Sequence, residues 1–472
     1  MKKTMLSISF AAVVMALPAA TVESVIVRQL WPWSTNIMVE YRLADVTTPV
    51  DVAVEAYNGS APIVSSTFES AIVGERYGVA EGGVHSFTID PAIAFGTNRT
   101  SISDFKVRLV LSDSAANINE ELYRIYNLVD GNVTSVTRKR LLNGEFGSYE
   151  TSFASIGSDF QTSLSDVMIW TGVTNDVSYM TTNLVMRKIP AGGKVWQAGS
   201  PSDELGRTQF EGDPDLHYVS LTEDYFIGVF PVTQEQHLLI AGTNPSSFAD
   251  RPDSPVRPVG NVAYSELRGS HGSAAKNYGS TGEIVNWPTN SYLHDVYTDS
   301  ILAKLRAKFT ATIHFDLPTG YQWEYACRAG TAGALNSGKD LTDANLGELG
   351  WYKDNAGEET HRVGLKKPNA FGLYDMHGNV MEQVVEWAGT TGIDQVDKGG
   401  SADNPKIDPL GATSNSSTVR YKRGGCYANS NNGVKEAARS ACRCNSFNFT
   451  QKFGFIGYRV VCPASESGRW NK

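Results

Sequence analysis

Cysteine, clustered positive charge and long apolar runs are all scarce in this sequence, and each scarcity removes a class of explanation. Five cysteines occur in 472 residues, at positions 327, 426, 442, 444 and 462. That is too few for a disulfide-stapled scaffold, so stability has to come from buried cores. An odd number leaves at least one thiol unpaired within the chain. Cys442 and Cys444 are one residue apart with no second pair, which is not the spacing of a zinc site. The formal net charge is −9, and the basic residues form only short patches such as TRKR at 137–140. A nucleic-acid binder needs a clustered basic face, so no nucleic-acid partner is expected. The apolar run at residues 5–16 is too short to span a bilayer. It follows Met1-Lys2-Lys3 and precedes Leu17-Pro18-Ala19-Ala20, the pattern of a secretory signal peptide. Residues 1–24 are therefore read as a signal peptide of bacterial type. No transmembrane segment is expected, and the mature protein is expected to be secreted, periplasmic or at the cell surface. Two hydrolase motifs, G-x-S-x-G and H-E-x-x-H, are also missing.

What is present fits two large parts. Hydrophobic residues make up 41% and charged residues 19%, enough to bury real cores, and the length suggests two or three domains. Residues 24–28, 37–43, 50–56 and 105–111 alternate or run apolar with β-branched residues. Turn signals such as Asn58-Gly59 and Gly82-Gly83 separate them. This predicts an all-β, sandwich-like accessory module over 25–185, with further strands and an extended connection in 116–185. Pro190-Ala191-Gly192-Gly193 opens a second part in which glycine and proline are dense. Helices are expected there over 232–241, 301–308 and 320–328, the last capped by Thr319.

Residues 369–387 read NAFGLYDMHGNVMEQVVEW. The glycines and the preceding Pro368 make this a turn-rich loop. Asp375 and Glu382 offer carboxylates, and Gly378 and Val380 offer backbone carbonyls, within eight residues. An all-oxygen set on a tight loop suits a hard cation such as Ca²⁺, although acids in a loop are also commonly just solvated. His361 and His377 flank this region, and Glu324 and Glu382 are read as structural rather than as a catalytic pair.

This signature strongly resembles that of the formylglycine-generating enzyme, or sulfatase-modifying factor, family. Three further blocks agree in order: IPAGGKVWQAGS at 189–200, YFIGVFPVTQEQ at 225–236 and LPTGYQWEYACRAG at 317–330. Arg423-Gly424-Gly425 and Gly457-Tyr458-Arg459 resemble the closing block. The resemblance covers 186–464 and implies an α+β, C-type-lectin-like fold with few helices and many loops. It also implies Ca²⁺ at Asp375, Gly378, Val380 and Glu382, and a second site at Asn345, Leu346, Asn355 and Gly357. A bridge from Cys327 to Cys442 or Cys444 is implied in the same way.

The oxidase members of the family convert a substrate cysteine to formylglycine with two cysteines and copper. The matching positions here are Asn429 and about Val434. Neither replaces a thiolate, the ligand copper(I) requires, so copper is not expected and the reading leans away from an enzyme. Cys426 stands three residues too early. The segment 426–455 mixes Asn with Ser, Thr, Tyr, Cys and Phe. Some lectin-like proteins of this fold diversify the corresponding segment through a retroelement that mutates adenines, and an Asn codon altered that way yields such residues. Ordinary loop drift gives the same mixture. In either case the composition is that of a recognition surface, with Tyr427, Asn429, Asn431, Asn445, Phe447 and Phe449 as candidate contacts for a protein or glycan. The alternative is a formylglycine-generating or related enzyme acting through other residues.

Overall fold

A computed structural model describes residues 20–30, 33–64, 67–96, 102, 104–152, 167–207, 215–269, 296–387, 400–409 and 419–465. The proposed signal peptide lies outside these residues, apart from its last positions. The chain divides into two compact units. One contains the residues up to Leu122 with 136–150 and 170–172, and the other contains 123–135, 151–169 and 173–472.

The first unit is built from alternation. Along Val50–Asn58, every second residue from Val50 to Ala56 is buried and the others are not. A pleated strand does this because successive side chains point to opposite faces. This strand lies between Ala61–Pro62 and Phe105–Asp113 in a three-stranded sheet. A four-stranded sheet runs in the order Thr21–Gln29, Ile37–Ala44, Gly83–Ile89, Ile72–Gly74. Val39, Tyr41, Leu43, Phe87 and Ile89 from this sheet share one core with Val50, Val52, Val54 and Val107 from the other. Two sheets closing on one apolar core is the sandwich-like architecture the sequence predicts.

The second unit combines several small sheets with short helices, an α+β arrangement. Its largest sheet runs Val461–Pro463, Tyr225–Gly228, Asn183–Ile189, Glu121–Asn127, Val133–Thr137. Tyr123–Asn127 pairs with Asn183–Arg187, so this sheet reaches upstream of the boundary that the sequence suggested near residue 185. The chain returns to this sheet from well upstream, and Tyr126 and Leu128 bury in the same core as Leu184, Met186 and Phe226.

The helices match expectation with small shifts that capping explains. The first forms over Gln234–Ala241 rather than from 232, because Thr233 accepts from the Gln236 amide and the Gln236 side chain returns the bond. Gly320–Arg328 repeats the same reciprocal cap with Thr319 and Gln322. All nine of its residues are buried, so it is a central strut and not an amphipathic surface helix.

Candidate functional site

The signature loop is held by side chains that the backbone cannot replace. Asn369 uses its amide fully: Oδ1 accepts from the Phe371 and Leu373 amides, and Nδ2 donates to the Ala326 and Cys327 carbonyls. The loop is thereby tied to the C-terminal end of the helix Gly320–Arg328. Gly378 has φ +95°, and a Cβ there would meet the Trp351 carbonyl oxygen at 2.1 Å. Only glycine fits that position.

Behind the loop lies a group of fully buried charges. Glu382 accepts from Arg459 Nε and Nη2 and from Trp323 Nε1. Glu324 accepts from Arg328, Arg423 and the Gly199 amide. Asp316 is paired in a bidentate manner with Arg268. Burial alone would raise the pKa of Glu324, but Arg328 and Arg423 outweigh it and hold the value below the usual range. Each carboxylate is satisfied in place, which is what makes such burial tolerable.

The two expected side-chain calcium ligands, Asp375 and Glu382, are both committed to hydrogen bonds within the protein. The Glu382 oxygens already accept from three N–H groups, Arg459 Nε and Nη2 and Trp323 Nε1. Asp375 is also buried, and accepts from the Gly364 amide and the Asn379 side chain. Val380 packs against Gly457, and the Gly378 amide donates to the Gly424 carbonyl. The second set fits no better. Leu346 is core, and the Asn345 and Asn355 side-chain amides donate to the Asp340 and Gly350 carbonyls. Gly357 is exposed in a left-handed turn, and the set contains no carboxylate. Among the described residues no group of three or more His, Cys, Asp or Glu is placed to hold a metal.

Asp375 carries a measurable consequence. Burial first, with Glu382 adding to it, pushes its carboxyl up to about 6. A raised folded value means that the native state binds the proton more tightly than the unfolded chain, so stability falls as pH rises from about 4 to 6. Two pH units correspond to about 3 kcal/mol, and the lost hydrogen bond in Asp375→Asn takes back about 1 kcal/mol. The variant is expected to gain stability on the wild type progressively between pH 4 and 7, read by denaturant melts at each pH. If calcium sat on Asp375, the variant would instead be weaker at neutral pH, and chelation would erase the difference.

The expected bridge from Cys327 to Cys442 is not formed, and all five cysteines are buried and unbridged. Cys327 Sγ faces Ser440 Oγ at 3.7 Å, and Cys442 Sγ faces Cys444 Sγ at 3.9 Å. Cys327 and His377 come within 4.0 Å, which suggests a nucleophile and base. The ring is committed elsewhere: Nδ1 donates to the Ala438 carbonyl and Nε2 accepts from the Asn336 amide. Burial lowers His377 to about 4 and raises Cys327 to about 12, so the pair stays neutral.

The candidate recognition residues separate into two groups. Asn429 and Asn431 are exposed, and Asn429 donates to Glu358. Phe447 is half-buried and packs on Phe453 and Phe455. Tyr427 and Phe449 correct the expectation: they are only 6% and 7% exposed. Tyr427 is held by its amide hydrogen bond to the Asn379 carbonyl and by an edge contact with Phe248, and Phe449 belongs to a main core of the unit. Asn445 lies in the strand Cys444–Asn448, and its side chain is outside the described atoms. The two positions that match the oxidase cysteines carry an exposed amide at Asn429 and a half-buried isopropyl group at Val434. This donor set does not fit copper(I).

Comparisons with known proteins identify relatives of this chain. A chaperone protein, LppX, of Paenibacillus barcinonensis is 32% identical over 190 residues, 35% of this chain and 62% of its own length. The formylglycine-generating enzyme of Streptomyces coelicolor is 28% identical over 211 residues, 42% of this chain and 60% of that enzyme. The chain thus spans less than two thirds of the relatives it matches. Among solved structures, Treponema denticola variable protein 1 is 26% identical with a TM-score of 0.42, covering 60% of this chain and 95% of that one. PvdO from Pseudomonas aeruginosa is 22% identical with a TM-score of 0.41, covering 59% and 94%. Residues 185–463 match the sulfatase-modifying factor enzyme 1-like domain, more than half the sequence and the same stretch that carries the signature loop and its buried ion pairs, and the chain belongs to that family.

Proposed function

We propose that this protein is an exported binding module of the sulfatase-modifying factor family that has no oxidase activity. The observation that carries the reading is the replacement of both copper-binding positions by Asn429 and Val434, in a chain whose five cysteines are all buried. An oxidase of this type needs reachable thiolates, and none is offered here. Export rests on the charged, apolar and small-residue order of residues 1–24. Among the described residues no helix is long and apolar enough to cross a membrane. The Paenibacillus relative is named a chaperone and not an oxidase, which is compatible with a binding role.

The binding face is the exposed part of 426–455. It contains Asn429, Asn431, Thr450, Gln451 and Lys452, together with the half-buried trio Phe447, Phe453 and Phe455. Polar amides beside aromatic rings make adaptable contacts to a glycan or a protein surface. Arrays of surface glycans and proteins test this reading. A ligand bound by the full chain is expected to lose about tenfold or more in affinity, or ~1.4 kcal/mol, when Asn429 and Asn431 are both changed to Ala. Unchanged binding by that variant overturns the assignment of this face.

A further inference from the structure

The strand Cys444–Asn448 carries part of the proposed binding face, and a pair of thiols stands where the chain enters it. Cys442 and Cys444 alternate with Arg443, which turns the other way towards Glu386 and stacks on the Tyr321 and Tyr421 rings. Residues two apart on an extended chain point to one face. Both thiols therefore enter the same small core, with Cys426, Ala437, Met381 and Ile456. Their sulfurs are 3.9 Å apart, in van der Waals contact, and a disulfide requires ~2.05 Å. Cys444 Sγ also donates to the Ala437 carbonyl, a contact that closure gives up. Cys327 lies instead against Ser440 and His377. Cys426 has its own neighbour in the Ala428 backbone, and burial raises its pKa above the ordinary thiol range.

We propose that Cys442 and Cys444 form an oxidisable dithiol that closes to a Cys-x-Cys disulfide at the entry to the recognition strand. The co-reactant is a disulfide, either a small-molecule one or that of a dithiol oxidoreductase. One thiol, as its thiolate, attacks the reagent and displaces one reduced equivalent. The second thiolate then attacks the mixed disulfide and displaces the other. Two electrons pass to the reagent, and the two thiol protons leave with its reduced sulfurs. Closure occurs while the chain is folding, before the core covers both sulfurs, and the packed core then shields the bond. The oxidant is available outside the cytoplasm, so occurrence in the cell rests on the proposed export.

The chemistry and the location are tested separately. The full chain is refolded with oxidised glutathione, denatured, alkylated and digested with trypsin. Cleavage after Arg439, Arg443 and Lys452 separates SACR from CNSFNFTQK. The expected result is these two peptides joined, lighter than the free pair by two hydrogens, with the other three cysteines alkylated. Cys442→Ser and Cys444→Ser should each leave all four remaining cysteines alkylated. Five alkylated cysteines, or a bond from Cys426 to either position, overturns the proposal. The same digest on protein from the producing cell reads export independently. Linked peptides after refolding but free ones in the cell contradict the export reading and leave the dithiol standing.

Discussion

A chain that begins at Lys188, close to the start of the family match, will not reach a native fold. It lacks the strand Glu121–Asn127 and most of Asn183–Ile189, two neighbouring members of the five-stranded sheet. The deletion removes Tyr126, Leu128, Leu184 and Met186 from the main core, and each is at most 2% exposed. Truncating a single such side chain to alanine costs about 2–5 kcal/mol, and a domain has only about 5–15 kcal/mol in total. Near-ultraviolet circular dichroism and a thermal melt would show a molten or aggregated product. A cooperative melt like that of the full-length protein would show that the upstream strands are dispensable.

Loss of the Glu324 carboxylate is expected to have the next largest effect. Its oxygens accept from Arg328 and Arg423, all three residues are at most 1% exposed, and the Gly199 amide closes the set. Glu324→Ala leaves two guanidinium groups buried beside each other without a counter-charge. Breaking such a group on one side costs about 3–5 kcal/mol. The folded carboxyl is held below its ordinary value despite burial, because the two arginines outweigh it. The stability it contributes is therefore present above about pH 4.3 and is lost as pH falls through the folded value. Urea melts at pH 7 should show the full penalty, and the gap between variant and wild type should narrow under acid. A variant as stable as the parent at pH 7 would show that water reaches the arginines.

The elements that read correctly from sequence are those with a local cause. Alternation marked Val50–Asn58 and Phe105–Asp113, and Thr319 with Gln322 marked the start of the central helix. The family blocks located the signature loop. What stayed hidden depends on partners distant in sequence. Glu382 looked like a cation ligand because its counter-charge, Arg459, lies 77 residues away. The strand Glu121–Asn127 looked like part of the first module because its pairing partner begins at Asn183. Tyr427 and Phe449 looked displayed because composition does not say which face of a loop is covered. The role of Asn369 had no local signal, since its four hydrogen bonds form only once loop and helix meet.

The proposed lack of oxidase chemistry is tested most directly by supplying the substrate. Purified full-length protein, loaded with copper(I) and given oxygen, is incubated with a peptide containing Cys-x-Pro-x-Arg, and the product is read by mass spectrometry. With Asn429 and Val434 in place of the two thiols, no formylglycine is expected above a heat-denatured control. Steady copper-dependent conversion of the peptide cysteine to the aldehyde would contradict the account and place the activity in other residues of this domain.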